Sequence, residues 1–181
     1  MIKRVLVSSA VVLGLLAVAC SGGTDDGGGN NCGNSTKPTI VTDRDVVGDS
    51  FFQGFGSPET LQVTNCGSQD LVITNIALTG DPSLLTPSPL LPDGGLVTVF
   101  RLVSPYVIQV LPDGGVTTGA EGNTLASKRS GVVSLQFNAP KAAANSGDAG
   151  TTYDAGLVIT SNADNAPTKN IGLVIISNLP R

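Results

Sequence analysis

Polar and apolar positions alternate along the chain in short runs, and turn residues separate one run from the next. In TLQVTN (60–65), Leu61 and Val63 alternate with Gln62 and Thr64, the period-two signature of a strand with one buried face. After a turn at 66–69, LVITNIALT (71–79) sets Leu71 and Ile73 on one face and Ile76 and Leu78 out of phase with them, which predicts a bulge or sheet switch near Asn75. Val133, Leu135 and Phe137 alternate with Ser134 and Gln136, and Leu157 and Ile159 with Val158 and Thr160; Ile171, Leu173 and Ile175 close the series. Two further runs, LVTVFRLV (96–103) and YVIQVL (106–111), flank a Ser104-Pro105 turn and read as an inserted or extended β-hairpin, followed by a polar loop. Short strands with no helix to cross between them predict an all-β chain folded as a single antiparallel sandwich.

The first twenty residues break this pattern. MIKRVLVSSAVVLGLLAVAC places two cations before an apolar run that ends in small residues and a cysteine, the layout of an export signal. The run is shorter than the roughly 20 apolar residues that a membrane-spanning helix needs. Its ending, Leu16-Ala17-Val18-Ala19-Cys20, resembles a bacterial lipobox, with Ala17 standing where that motif prefers Leu. The resemblance implies that residues 1–19 are removed as a lipoprotein signal, that Cys20 is lipidated, and that the bilayer is a partner through the acylated Cys20. By the same resemblance, Ser21 rather than Asp after the cysteine implies the outer membrane. The alternative is an ordinary signal cut after Ala17-Val18-Ala19, with Cys20 left as a free thiol.

Residues 20–37 carry the lipidated cysteine and then SGGTDDGGGNNCGNSTK, which has no large apolar side chain and reads as a flexible tether. As a coil it would span roughly 20 Å on average. With Cys20 acylated, Cys32 and Cys66 remain to pair in the oxidising compartment beyond the inner membrane, and a Cys32–Cys66 disulfide is expected. Residues 38–181 are then one domain, the size of a single ordinary core.

Composition narrows the function. Beyond the signal, the 23 Gly and 11 Pro among only 13% charged residues exclude long helices. Removing Lys3 and Arg4 with the signal leaves eight basic side chains of the ten, against fourteen acidic ones. Such a surface neither neutralises a run of phosphates, which argues against nucleic acid, nor favours lying flat on an anionic membrane. The chain has no histidine, so Ser-His-Asp and Cys-His mechanisms and His-ligated metals are excluded. Carboxylate or lysine catalysis stays formally open, but nothing gathers two such groups, and neither enzyme activity nor a cofactor is expected.

The strand motifs together resemble a known family. A strand ending in Asn65-Cys66-Gly67, the run from Leu71 to Asp81, the segment Leu135 to Pro140, and Leu157 through Asn162 with a following Pro167 are similar to the ASH (abnormal spindle and hydin) immunoglobulin-like domains. The bacterial relatives of that family are termed choice-of-anchor D domains. The resemblance implies an immunoglobulin-like sandwich without catalytic residues. The chain departs from the pattern at about 90–130 and at 141–152, and these insertions are the places where an individual function would sit, since binding residues concentrate on loops held by a scaffold.

Three smaller features carry a sharp and a bland reading. LPDGG occurs at 91–95 and 111–115; Asp93 and Asp113 could bind a ligand, but Pro-Asp-Gly turns explain both. Asp43-Arg44-Asp45-Val46-Val47-Gly48-Asp49 starts like a calcium loop and fails at Val47 and Gly54. Phe51, Phe52 and Phe55 could stack on sugars or pack at the edge of the core. The expected protein is therefore a non-catalytic, membrane-anchored envelope lipoprotein whose module meets another envelope protein; a carbohydrate or cell-wall binding module, with a polysaccharide as partner, is the alternative.

Overall fold

The computed structural model describes Cys32 and residues 34–87, 96–117, 119–140 and 150–178. The signal, Cys20, the first LPDGG with Asp93, and most of the 141–152 insertion lie outside the described residues.

Among the described residues, nine strands and two short helical turns follow in order: β1 (Ile40–Thr42), β2 (Val46–Phe52), β3 (Gly56–Asn65), β4 (Leu71–Gly80), α1 (Pro82–Leu85), β5 (Phe100–Leu102), a 3-10 turn (Ala120–Asn123), β6 (Thr124–Leu125), β7 (Ser130–Asn138), β8 (Thr151–Ser161) and β9 (Thr168–Asn178). They form two sheets, ordered β1-β3-β7-β5 and β2-β9-β8-β4-β6. The chain is the all-β immunoglobulin-like sandwich its alternation predicts. Every strand pairing is antiparallel except one: β2 runs parallel to β9, with Val46 beside Gly172 and Phe52 beside Asn178.

The alternation becomes the core directly. Leu61 and Val63 of β3, with Val133, Leu135 and Phe137 of β7, face Leu157 and Ile159 of β8 and Ile171, Leu173 and Ile175 of β9, all buried. Phe100 and Phe137 meet edge to face at 5.3 Å in the same core, a geometry that suits the opposite charge of ring edge and ring face. The predicted irregularity of β4 is present: its register against β8 shifts between Ile73 and Asn75, so that both Ile73 and Ile76 point inward. Asp81 starts α1, its carboxylate accepting from the Ser83 N–H.

The predicted hairpin at 96–111 does not form. Its two arms do not pair with each other; they lie end to end along the free edge of β7. Phe100 to Leu102 pair with Phe137 to Leu135, and Ile108 bridges Val132 further along. The Ser104-Pro105 break is a bend in one edge strand, because the open ladder of β7 satisfies both arms where a local hairpin would satisfy each arm only with the other. The hairpin lies one step later. Val110 bridges Val116, and Leu111 and Gly115 close the turn through the LPDGG segment.

Candidate functional site

Strand directions give the sandwich two distinct ends. At the first, β3, β4's start, β6, β8's end and β9's start converge, and the N-terminal segment enters there. Cys32 is bridged to Cys66, directly after β3, with Cα atoms 4.7 Å apart, as expected from the sequence. The last residues of the expected tether, 34–37, are held on the domain. Ser68 N–H donates to the Ser35 carbonyl at 3.1 Å, Ser68 Oγ to the Thr36 carbonyl at 3.0 Å, and Lys37 pairs with Asp164 at 2.8 Å.

Asn65 organises this end from beneath. It is fully buried; its amide donates to the carbonyls of Gln69 (2.7 Å) and Leu125 (2.9 Å), and its oxygen accepts from the N–H groups of Gly67 (2.9 Å) and Thr39 (3.4 Å). One side chain thus ties the N-terminal segment, the 66–69 turn and the strand before β7. Gly67 admits no side chain, because a Cβ there would stand 1.8 Å from the Lys37 carbonyl oxygen. Asn162 has the matching role in a neighbouring loop, accepting from Val72 N–H at 2.7 Å and donating to the Asp70 carbonyl. The motif residues Asn65, Gly67 and Asn162 are therefore joints of the scaffold.

At the opposite end, β2 and β9 finish, β3 and β8 begin, and the long insertions depart. Gly54 N–H donates to the Ala139 carbonyl and Ala139 N–H to that of Phe55, while Asn138 holds the Thr98 carbonyl at 2.7 Å. Around this frame stand Phe52, Phe55 and Leu96, with 52%, 68% and 68% of their surface exposed. Phe51 packs against the core, so the bland reading holds for it and fails for the other two. These three exposed side chains, at one end of the sandwich, are the strongest candidate surface, since apolar groups exposed toward the same side mark contact sites more often than scattered ones do.

The acidic candidates do not converge. Asp43 bonds the Gln62 N–H at 2.9 Å and pairs with Arg44, Asp45 pairs with Lys169 at 2.7 Å, and Asp49 accepts from the Ser50 N–H at 2.7 Å. The hydrogen bond and charge of Lys169 hold Asp45 below the usual carboxylate range, whereas burial and then the nearby Asp49 charge push Glu59 up. Asp113 caps its own turn, accepting from Gly115 N–H at 2.9 Å, with Gly114 in the left-handed region at φ 84°. Among the described residues, no three Cys, Asp or Glu side chains are grouped to hold a metal ion.

No family model matches the chain. No curated protein matches it either. Among solved structures it is similar to a protein of unknown function from Porphyromonas gingivalis W83, at 9% identity and TM-score 0.47 over 79% of this chain and 49% of the other, so the chain spans about half that protein's length. It is also similar to the ASH / PapD-like domain 7 of human CEP192, at 16% identity and TM-score 0.42 over 92% and 99% of the two chains. The periplasmic chaperone SfaE matches at 11% identity and TM-score 0.38 over 76% and 57%. At these scores the likenesses carry no argument of their own, and the fold rests on the two sheets described above.

Proposed function

We propose that this protein is an envelope lipoprotein, held in the outer membrane by an acylated Cys20, whose choice-of-anchor D-like sandwich is a non-catalytic module that presents its far end to another envelope protein. The polarity of the fold carries this reading. The chain arriving from Cys20 is bolted to one end by Cys32–Cys66, and the uncovered Phe52, Phe55 and Leu96 stand at the other. A lipid held at one end leaves the opposite one facing outward.

Intact mass spectrometry on a membrane fraction tests the anchor. The expected product begins at Cys20, carries acyl chains, and disappears in Cys20→Ser; an unacylated soluble product would overturn the membrane anchorage. A second reading, a carbohydrate or cell-wall binding module, draws support from the exposure of Phe52 and Phe55, because sugars stack on uncovered aromatic faces. It requires binding to peptidoglycan or polysaccharide that Phe52→Ala or Phe55→Ala weakens about tenfold, a loss of roughly 1.4 kcal/mol; absence of binding dismisses it.

A further inference from the structure

The hairpin that closes at 111–115 reverses the usual placement of side chains. Gln109 and Thr117 at its base are buried, while Val110, Leu111 and Val116 nearer the tip are 42%, 41% and 54% exposed. The polar base is hydrogen-bonded to the domain. Gln109 Nε2 donates to the carbonyls of Gly122 (2.7 Å) and Thr124 (3.1 Å), and the Thr117 hydroxyl accepts from Gln109 N–H (2.9 Å) while donating to the Val107 carbonyl (3.3 Å). These bonds fix the hairpin to the domain, and the fixed element offers its apolar side chains to the surroundings. Polar groups inside and aliphatic groups outside indicate a surface made for contact.

The register shows which end the tip occupies. Phe100 pairs with Phe137 and Ile108 with Val132, so the edge strand runs antiparallel to β7 and the tip passes beyond Ser130. Ser130 lies opposite Thr64, one residue before Asn65 and two before the bridged Cys66. The apolar tip therefore projects from the end that receives the tether. Two cations lie between the tip and the bridge: Arg129 is exposed, and Lys128, also exposed, donates from Nζ to the Cys66 carbonyl. Asp45, Asp70, Asp113, Glu121 and Asp164 share this end, Asp45 paired with Lys169 and Asp164 with Lys37, whereas Asp49, Glu59, Asp81 and Asp154 lie toward the other.

The geometry points to this hairpin tip as a second membrane contact, in which Val110, Leu111 and Val116 enter the headgroup boundary beside Lys128 and Arg129 on the bilayer that holds Cys20. The inference rests on the lipoprotein reading. Eleven residues, 21–31, separate Cys20 from Cys32. A coil of that length spans roughly 20 Å on average, so the bridged end stays close to the lipid. Aliphatic side chains backed by cations are what such an interface takes up. The contact rests on the aliphatic side chains, because the acids at this end offset its cations.

The chain contains no tryptophan, so Leu111→Trp supplies a single emission reporter at an exposed position. The acylated protein is reconstituted into vesicles of phosphatidylethanolamine and phosphatidylglycerol whose acyl chains are brominated near the headgroup. Roughly two-fold quenching is expected at Leu111→Trp, because an interfacial side chain sits about 5–10 Å into the headgroup and acyl boundary. Phe55→Trp, at the far end, is expected to stay unquenched. If the protein floats with the vesicles while both variants stay bright, the tip contact is overturned and the anchor stands. If the protein does not float, the anchor reading fails and the tip contact falls with it. Emission from Leu111→Trp that shifts to the blue with protein concentration, without bromine quenching, would instead assign the tip to a second copy and overturn the membrane contact.

Discussion

The tethered end and the far end of the sandwich differ in how they are fastened, although both expose apolar side chains: Val110, Leu111 and Val116 at the first, Phe52, Phe55 and Leu96 at the second. At the tethered end side-chain hydrogen bonds join the loops: the Asn65 side chain makes four, that of Asn162 two, and a disulfide crosses from Cys32 to Cys66. At the far end the backbone frame is equally regular, but Phe52, Phe55 and Leu96 are left largely uncovered. Satisfied buried polar groups stabilise and specify a joint; exposed apolar ones add little to stability and are available to a partner. On the proposed function, the difference separates holding from presenting, and it predicts that substitutions at the two ends fail in different ways.

The largest effect is expected at Asn65. Asn65→Ala strands the carbonyls of Gln69 and Leu125 and the N–H of Gly67 in a buried place, a destabilisation of about 4 kcal/mol at roughly 1 to 3 per unsatisfied group. Thermal unfolding should drop by more than about 10 °C. A drop no larger than that of the far-end variants would remove the contrast between the ends. Next comes the bridge. Replacing both Cys32 and Cys66 by Ala releases a constraint spanning 34 residues, worth about 3.8 kcal/mol in the chain-entropy model. The amides of β1, which pairs with β3 over three residues only, should gain hydrogen exchange first, and exchange that rises evenly over the whole domain would contradict that order.

At the far end the expected change is in binding. Phe55→Ala combined with Leu96→Ala should leave the unfolding free energy from denaturant titration within about 0.5 kcal/mol of the parent, as surface substitutions do. A loss of several kcal/mol would mean that these side chains are core, and the presenting surface would have to be sought elsewhere.

What the sequence disclosed follows the same division. β3, β4 with its bulge, β7, β8 and β9 were legible because each buries alternate aliphatic residues over its length, and period two is visible in one dimension. β2 was not, because VVGDSFF buries Val47 fully and leaves Gly48, Asp49 and Ser50 exposed, and nothing local announces its parallel pairing with β9. The segment 96–111 was misread for a related reason. Two aliphatic runs about a Ser-Pro turn look like a hairpin until the open edge of β7, more than twenty residues away, competes for both. The bridge was legible by counting cysteines, and the importance of Asn65 only as a motif letter. Its four bonds reach segments from Thr39 to Leu125 that no periodicity connects.

The smallest effects concern charge, and they carry opposite signs. Asp45, held below its usual range by Lys169, stabilises the fold at pH values above the carboxylate range, and that contribution is lost as pH falls through its lowered value. Glu59, pushed up by burial and then by Asp49, ionises more readily in the unfolded chain, so its cost is absent in acid and present at neutral pH. Glu59→Gln should therefore raise the melting temperature at pH 7 and lose that advantage as pH falls through the carboxylate range, while the deficit of Asp45→Asn at pH 7 should fade over the same interval. Melting curves of both variants between pH 3 and 7, set against the parent, read the two slopes; equal slopes would mean that Glu59 is as well solvated as Asp45. Glu59 lies in the half of β3 that leads to the far end, and Asp45 beside the start of β9 at the tethered one. Of these two acids, the one at the end that holds the chain is paired with a cation, and the one in the half that leads to the far end carries the cost of burial.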